Sequence, residues 1–238
     1  MAAFTKYLDP DFPLLEKLRE IAPGTFKHSQ NVMSICEHVA DVLSLDKDIL
    51  RCAAMYHDIG KTHNPIWFTE NQNGENPHDN VEPKFSYEMI TRHVSDSCMV
   101  LAQNGFPVEV ISLVSMHHGN TITASFWKKS GETPETKDSF RYHSITPNST
   151  EAVVLMVCDR VEAQARSMFQ SGSLNRETLI DAIITDLMSD GQLDKITIGD
   201  LRKLKDVLNS EIHALYHERI DYDKIKPSKA SKDNVDKK

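Results

Sequence analysis

Apolar residues recur at three- and four-residue intervals through most of the chain, the period of helices that each turn one face inward. Pro13–Ile21 reads as a short amphipathic helix, closed by Pro23-Gly24. A second helix runs from Phe26 to about Leu45 on a stripe of Val32, Ile35, Val39 and Val42, and His28 extends that stripe inward by one turn. A third, from about Lys47 to Gly60, places Leu50, Ala53 and His57 on one face, with Asp58 next in line. Periodicity then fails between Thr62 and Asn80, where Asn, Pro and Gly cluster. A loop this long inside a compact domain is functional or disordered, and the Trp67-Phe68 pair favours order.

Pattern returns from about Pro83 to Asn104, where Phe85, Met89 and His93 are spaced by four. A fifth helix from about Pro107 sets Val110, Leu113 and Val114 ahead of His117-His118. Two successive helical residues are about 100° apart, so this pair would have to straddle any shared site. After a polar connection over residues 130 to 147, Asn148 with Glu151 resembles a capping box, and the helix behind it carries Ala152, Leu155 and Asp159 on one face. Helices over about 175 to 189 and 197 to 217 follow. No strand-like alternation appears, so the fold class expected is all-α.

The 238 residues are 39% hydrophobic and 26% charged, ordinary for a soluble globular chain, with no apolar run long enough to span a membrane and no signal peptide. A cytoplasmic location is expected. Cys36, Cys52, Cys98 and Cys158 lack CxxC spacing and fall in apolar helical patterns, which reads as reduced core thiols. The net charge of −8 argues against a polymer nucleic-acid surface. Basic charge gathers in the last fifteen residues, so a domain over residues 1 to 222 and a disordered, Lys-rich tail over 223 to 238 are expected.

Charge patterning matters most in the interior. His28, His57, Asp58, His93, His117, His118 and Asp159 all fall on predicted inward faces, from five helices. Any one of them could be a satisfied core polar group. Together, without a metal, they would leave a core full of donors and acceptors lacking partners. Seven N/O ligands exceed what one tetrahedral ion requires and point to two ions sharing a carboxylate, for which Asp58 is the natural bridge. Lys61, one turn beyond His57, is placed to meet an anionic substrate.

The order H…HD…H…HH…D resembles the bimetallic subgroup of the HD-domain phosphohydrolases. Beyond those residues, the stretches Ala22-Pro23-Gly24-Thr25-Phe26-Lys27-His28-Ser29, Phe68-Thr69-Glu70-Asn71-Gln72, Asn76-Pro77-His78-Asp79, Phe140-Arg141-Tyr142 and Asp159-Arg160-Val161-Glu162-Ala163 are similar to the cytosolic HD domain of the seven-transmembrane HD, or PgpH-type, cyclic di-AMP phosphodiesterases. The likeness runs from about Asp9 to Tyr222.

The resemblance implies an HD-domain helical bundle around two divalent transition-metal ions, iron or manganese, with a small-molecule nucleotide substrate. It implies His28, His57, Asp58 and Asp159 on one ion and Asp58, His93, His117 and His118 on the other. A hydroxide bridging the ions would open cyclic di-AMP to a linear 5′-phosphorylated dinucleotide, with Asp58 and Lys61 as catalytic residues and Lys61 stabilising phosphoryl oxygens. Asn76, His78 and Arg141 are candidate substrate contacts, with loop bracing the competing reading. Another nucleotide substrate is the alternative, and a non-catalytic sensor would typically have lost a ligand or the lysine. Relatives acting on cyclic di-GMP carry a Gly-Tyr-Pro signature that is missing here. The family also carries a sensor and a membrane bundle, neither found in this sequence, so the chain is either a free-standing enzyme or an excised piece. His143 and Asn120-Thr121 depart from the family pattern, and His38, His63 and His213 have no counterpart in it.

Overall fold

The structure is a computed structural model that describes residues 4–216. Among them lie nine α-helices: α1 Pro13–Ile21, α2 Pro23–Leu43, α3 Lys47–Tyr56, α4 Pro83–Gln103, α5 Val108–Met116, α6 Ala124–Lys129, α7 Thr150–Gln170, α8 Arg176–Ser189 and α9 Ile198–Leu215. The described residues hold no strand, only a single antiparallel bridge between Ile122 and Arg141. No described helix is long and apolar enough to cross a membrane.

Helices α2 and α7 form the centre because their apolar stripes are the most complete. Val32, Ile35, Cys36 and Val39 of α2 are fully buried, as are Val153, Val154, Leu155 and Val161 of α7. Each such side chain contributes about 1.5–3 kcal/mol relative to an exposed one. Helix α3 lies on α2, α5 lies across α3 and α4, and α8 and α9 close the far side. Cys36, Cys52, Cys98 and Cys158 are all free thiols, the first, second and fourth of them buried.

Several expected boundaries move, each for a local reason. Pro23-Gly24 opens α2 instead of closing α1: Ala22 breaks the helix at φ −134°, ψ 66°, and a proline in the first turn has no N–H to leave unpaired. The connection over 130 to 147 is partly ordered, with α6 just before it and a 3₁₀ helix at Pro134–Phe140 within it. Ser149, not Asn148, caps α7, its side chain accepting the Ala152 N–H at 3.2 Å. Two stripe residues face outward: Val42 is 48% and Phe85 46% exposed. On α4 the buried face is Tyr87, Val94, Ser97 and Leu101, and Phe85 instead meets Trp67 edge-on with ring centroids 5.7 Å apart.

The stretch from Thr62 to Asn80 is ordered as a chain of short 3₁₀ turns, with Phe68 and His78 buried. Helix α9 ends at Leu215. The domain limit at 222 and the tail over 223 to 238 lie outside the described residues.

Candidate metal centre

Helix α3 stops at Tyr56, and His57-Asp58 sits where the backbone turns into a 3₁₀ helix, Ile59–His63. That change of direction is what turns both side chains toward α2, α4 and α7. Gly60 is required there by space, because a Cβ on it would lie 2.3 Å from the His93 carbonyl oxygen. Its N–H donates to Ser97 Oγ at 2.9 Å, which ties the turn to α4.

Asp58 is buried and its two oxygens look in different directions. Oδ2 lies 3.2 Å from His57 Nε2 and 3.7 Å from His28 Nε2. Oδ1 lies 3.2 Å from His93 Nε2 and 3.8 Å from His117 Nε2. Asp159 faces the first group, with Oδ1 2.9 Å from His28 Nε2 and 3.4 Å from His57 Nε2, while Oδ2 is 3.7 Å from His118 Nδ1. Two donor clusters result: His28, His57, Asp58 and Asp159, and beside them His93, His117 and His118, each drawn within 4.8 Å.

His117 and His118 reach the same cluster because neither is inside a helix. Helix α5 ends at Met116, and the chain turns through Gly119 at φ +52°. The two rings lie 4.1 Å apart between centroids, so the straddling expected of a continuous helix does not arise. A Cβ at Gly119 would come within 2.2 Å of Gln192 Oε1.

Donor chemistry fits divalent metal ions. His57, His93 and His117 each place Nδ1 against a backbone carbonyl, of Ala54 at 2.7 Å, Ile90 at 2.6 Å and Val114 at 2.6 Å. A carbonyl only accepts, so in the neutral ring that a metal requires Nδ1 carries the proton and Nε2 presents a lone pair to the site. His57 Nε2 and Asp58 Oδ1 are buried with no hydrogen-bond partner. Electrostatics agree. Burial alone would raise the Asp58 carboxyl, but His57 and Lys61 hold it well below the usual range; for Asp159 the contacts with His28 and His57 do the same. Burial, with His57 and His93 alongside, pushes His117 down to about 3, so its ring stays neutral as a ligand requires. Burial is outweighed at His28 and His57 by Asp58, Asp159 and Glu162, which raise both imidazoles, so the buried carboxylates form a sink for positive charge.

Around the expected Lys61, the residues Glu70, Asn71 and Glu162 complete the site without having been singled out as site residues. Lys61 Nζ bridges Asp58 Oδ2 at 2.6 Å and Glu70 Oε1 at 2.8 Å. Burial would raise Glu70, but Lys61 draws it down to about 2, so it remains ionised. Asn71 accepts the Gly24 and Thr25 N–H groups at 2.9 and 3.2 Å, capping α2, and a Cβ on Gly24 would lie 1.8 Å from the Glu70 carbonyl oxygen. The Glu70-Asn71 pair thus seats both the lysine and the helix that carries His28. Glu162, one turn beyond Asp159 on α7, binds His28 Nδ1. That three-residue spacing is the signal that could have revealed it.

An open cleft of ≈ 490 Å³ leads down to these groups. Its wall includes Lys61, Phe68, Phe126, Tyr142, Arg160 and Arg166, and His28, His93, His118 and Asp159 reach it. Asn76, His78 and Arg141 are not on that wall. Asn76 Oδ1 accepts the His78 N–H at 3.1 Å, and His78 Nε2 meets the Trp67 carbonyl at 2.8 Å. Arg141 pairs with Asp190 at 3.0 Å and Asp138 at 2.9 Å. In the structure all three brace loops around the cleft. His38 pairs with Glu211 at 2.8 Å and His63 with Asp96 at 3.2 Å, both away from the ligand clusters.

Comparison with known proteins places this geometry. The HD domain family matches residues 25–164. The cyclic-di-AMP phosphodiesterase PgpH of Listeria monocytogenes is 36% identical over 219 residues, 90% of this chain and 30% of the relative. PgpH of Bacillus subtilis is 35% identical over 219 residues, again 90% of this chain and 31% of the relative. The chain therefore spans about a third of the length of these curated relatives. The crystal structure of the L. monocytogenes PgpH HD domain superposes with a TM-score of 0.81 at 35% identity, covering 87% of this chain and 100% of that one. A second structure of that domain, in complex with cyclic-di-AMP, superposes equally well.

Proposed function

The chain belongs to the HD-domain family, and we propose that it is a metal-dependent phosphodiesterase that opens cyclic di-AMP to a linear dinucleotide with a 5′ phosphate. The observation that carries this reading is the split of Asp58, one oxygen toward His28 and His57 and the other toward His93 and His117, behind a cleft that His28, His93, His118 and Asp159 line. A carboxylate so placed fits two ions side by side, held by His28, His57, Asp58 and Asp159 and by Asp58, His93, His117 and His118. We take the ions to be iron or manganese. Two such ions, when bound, would supply the positive charge that offsets a phosphodiester in its transition state and would lower the pKa of a bound water.

The chain's own groups position the substrate. Lys61 Nζ spends two of its protons on Asp58 and Glu70 and keeps a third for a phosphoryl oxygen in the cleft. Burial is outweighed by those two carboxylates, which hold the ammonium charged well above its ordinary range. Arg166, on the same wall, offers a fork suited to the second phosphate of a cyclic dinucleotide. Phe126 and Tyr142 give the faces on which a purine stacks. In the net reaction the water oxygen bonds to phosphorus, the P–O3′ bond breaks, and the 3′ oxygen leaves with a proton.

The absence of a Gly-Tyr-Pro signature and the likeness to PgpH together favour cyclic di-AMP. A cytoplasmic site of action follows from that substrate class. The deciding experiment is a turnover assay on cyclic di-AMP with Mn²⁺ or Fe²⁺ added, followed by chromatography of the products. Release of the linear dinucleotide is expected, and no hydrolysis with either metal would sink the proposal.

A further inference from the structure

Beneath the ligand clusters lies a buried carboxylate that no step above uses. Glu162 is fully buried on α7, and its two oxygens are divided as clearly as those of Asp58. Oε2 binds His28 Nδ1. Oε1 accepts from Asn31 Nδ2 at 2.8 Å and from the Tyr216 hydroxyl at 2.6 Å. Arg166 Nε stands 3.9 Å from Oε2. His28 thereby differs from the other ring ligands: His57, His93 and His117 place Nδ1 on neutral backbone carbonyls, whereas His28 alone among these four places it on a carboxylate.

A carboxylate behind an imidazole fixes the tautomer, holds the ring in one orientation and makes the opposite nitrogen a stronger donor. Tyr216 extends the connection outward. It caps the C-terminal end of α9, its ring packs on Phe169 at 5.4 Å, and its carbonyl accepts from Arg176 on α8. The end of α9 is therefore latched to Glu162, and Glu162 to His28.

We infer that Glu162 and Tyr216 are positioning residues that set the affinity of the ion held by His28, so that the seating of the α9 end on α7 controls one of the two metal positions and not the other. This rests on the bimetallic reading of the site, with which it shares the ligand sets. A purely structural role for Glu162 would loosen the core as a whole and weaken both positions alike.

The test is a titration of the metal-free full chain with Mn²⁺ or Co²⁺, followed by calorimetry and by the visible absorption of Co²⁺, without nucleotide. Glu162→Gln keeps the volume and removes the charge. It is expected to weaken one of two ions by about 10- to 100-fold and leave the other at wild-type affinity. Tyr216→Phe keeps the ring and removes one hydrogen bond, and is expected to weaken the same ion by a smaller factor. His28→Ala serves as the reference for losing that ion and His93→Ala for losing the other. Equal weakening of both ions, or wild-type affinities and Co²⁺ spectra in both variants, would overturn the inference. Should Glu162→Gln fail to fold, Tyr216→Phe decides by the same criteria. A wild-type chain that holds a single ion would overturn the bimetallic reading, and this inference with it.

Discussion

Nε2 of His93 and Nε2 of His117 face each other at 3.1 Å, and in the neutral tautomers that place each Nδ1–H on a backbone carbonyl both Nε2 atoms present lone pairs. Two opposed lone pairs at that distance repel unless a cation lies between or beside them. The expected outcome is close to two transition-metal ions per chain by elemental analysis after expression with iron or manganese. A value of one with all seven ligands intact would contradict the shared-carboxylate arrangement. Chelation should also lower the unfolding temperature, since an ion present at 100 times its Kd stabilises the fold by about 2.7 kcal/mol.

Asp58 serves both clusters, so its loss should not be confined to one. Asp58→Ala is expected to remove both ions and all turnover, whereas His93→Ala should leave the ion at His28, His57 and Asp159. A variant Asp58→Ala that retained one tightly bound ion would show that the carboxylate does not bridge.

Lys61 pairs with both Asp58 and Glu70 without being a ligand. Lys61→Ala is expected to keep its metal and lose about 10²- to 10³-fold in kcat, the magnitude for removing one transition-state donor. Loss of metal in this variant would reassign Lys61 to holding Asp58 in place.

Gly60 sets the distance between the His-Asp turn and α4. Gly60→Ala puts a methyl 2.3 Å from the His93 carbonyl and within 2.6 Å of the Ser97 nitrogen, both backbone atoms that cannot swing aside. A cost of about 1–3 kcal/mol in denaturant unfolding is expected, as for overpacking elsewhere, with weakened binding of the ion at His93. Wild-type stability and metal content would mean that α4 moves freely against the turn.

Substrate choice is read most directly from kcat/KM for cyclic di-AMP and cyclic di-GMP with the same metal. A preference for cyclic di-AMP is expected. A tenfold preference for cyclic di-GMP would keep the metal centre and overturn the substrate. Arg141→Ala bears on the same question from the other side: tied to Asp138 and Asp190, it should lower stability by about 1 kcal/mol or less and leave KM little changed.

The all-α architecture and the inward placement of the ligand residues were legible in the chain because both follow from period. Apolar residues at helical spacing must bury one face, and a histidine or aspartate in that register is carried inward with it. His28, His93 and Asp159 could be read in this way, one residue at a time. What periodicity cannot supply is the geometry at places where a helix stops. His57-Asp58 and His117-His118 gain their directions from turns after α3 and α5, set by Gly60 against α4 and Gly119 against Gln192. The same limit hid Val42 and Phe85, which obey helical spacing yet face outward, because the neighbours that choose the buried face lie on other helices. Glu70 and Glu162 look like ordinary charged residues in the chain. Only the packing of a 3₁₀ turn against α2, and of α7 against α2 and α9, brings one to Lys61 and the other to His28. Sequence determined which side chains could hold metal, through local period and residue type. Tertiary structure decided which oxygen of Asp58 faces which imidazole, because that depends on contacts between residues as far as 131 positions apart.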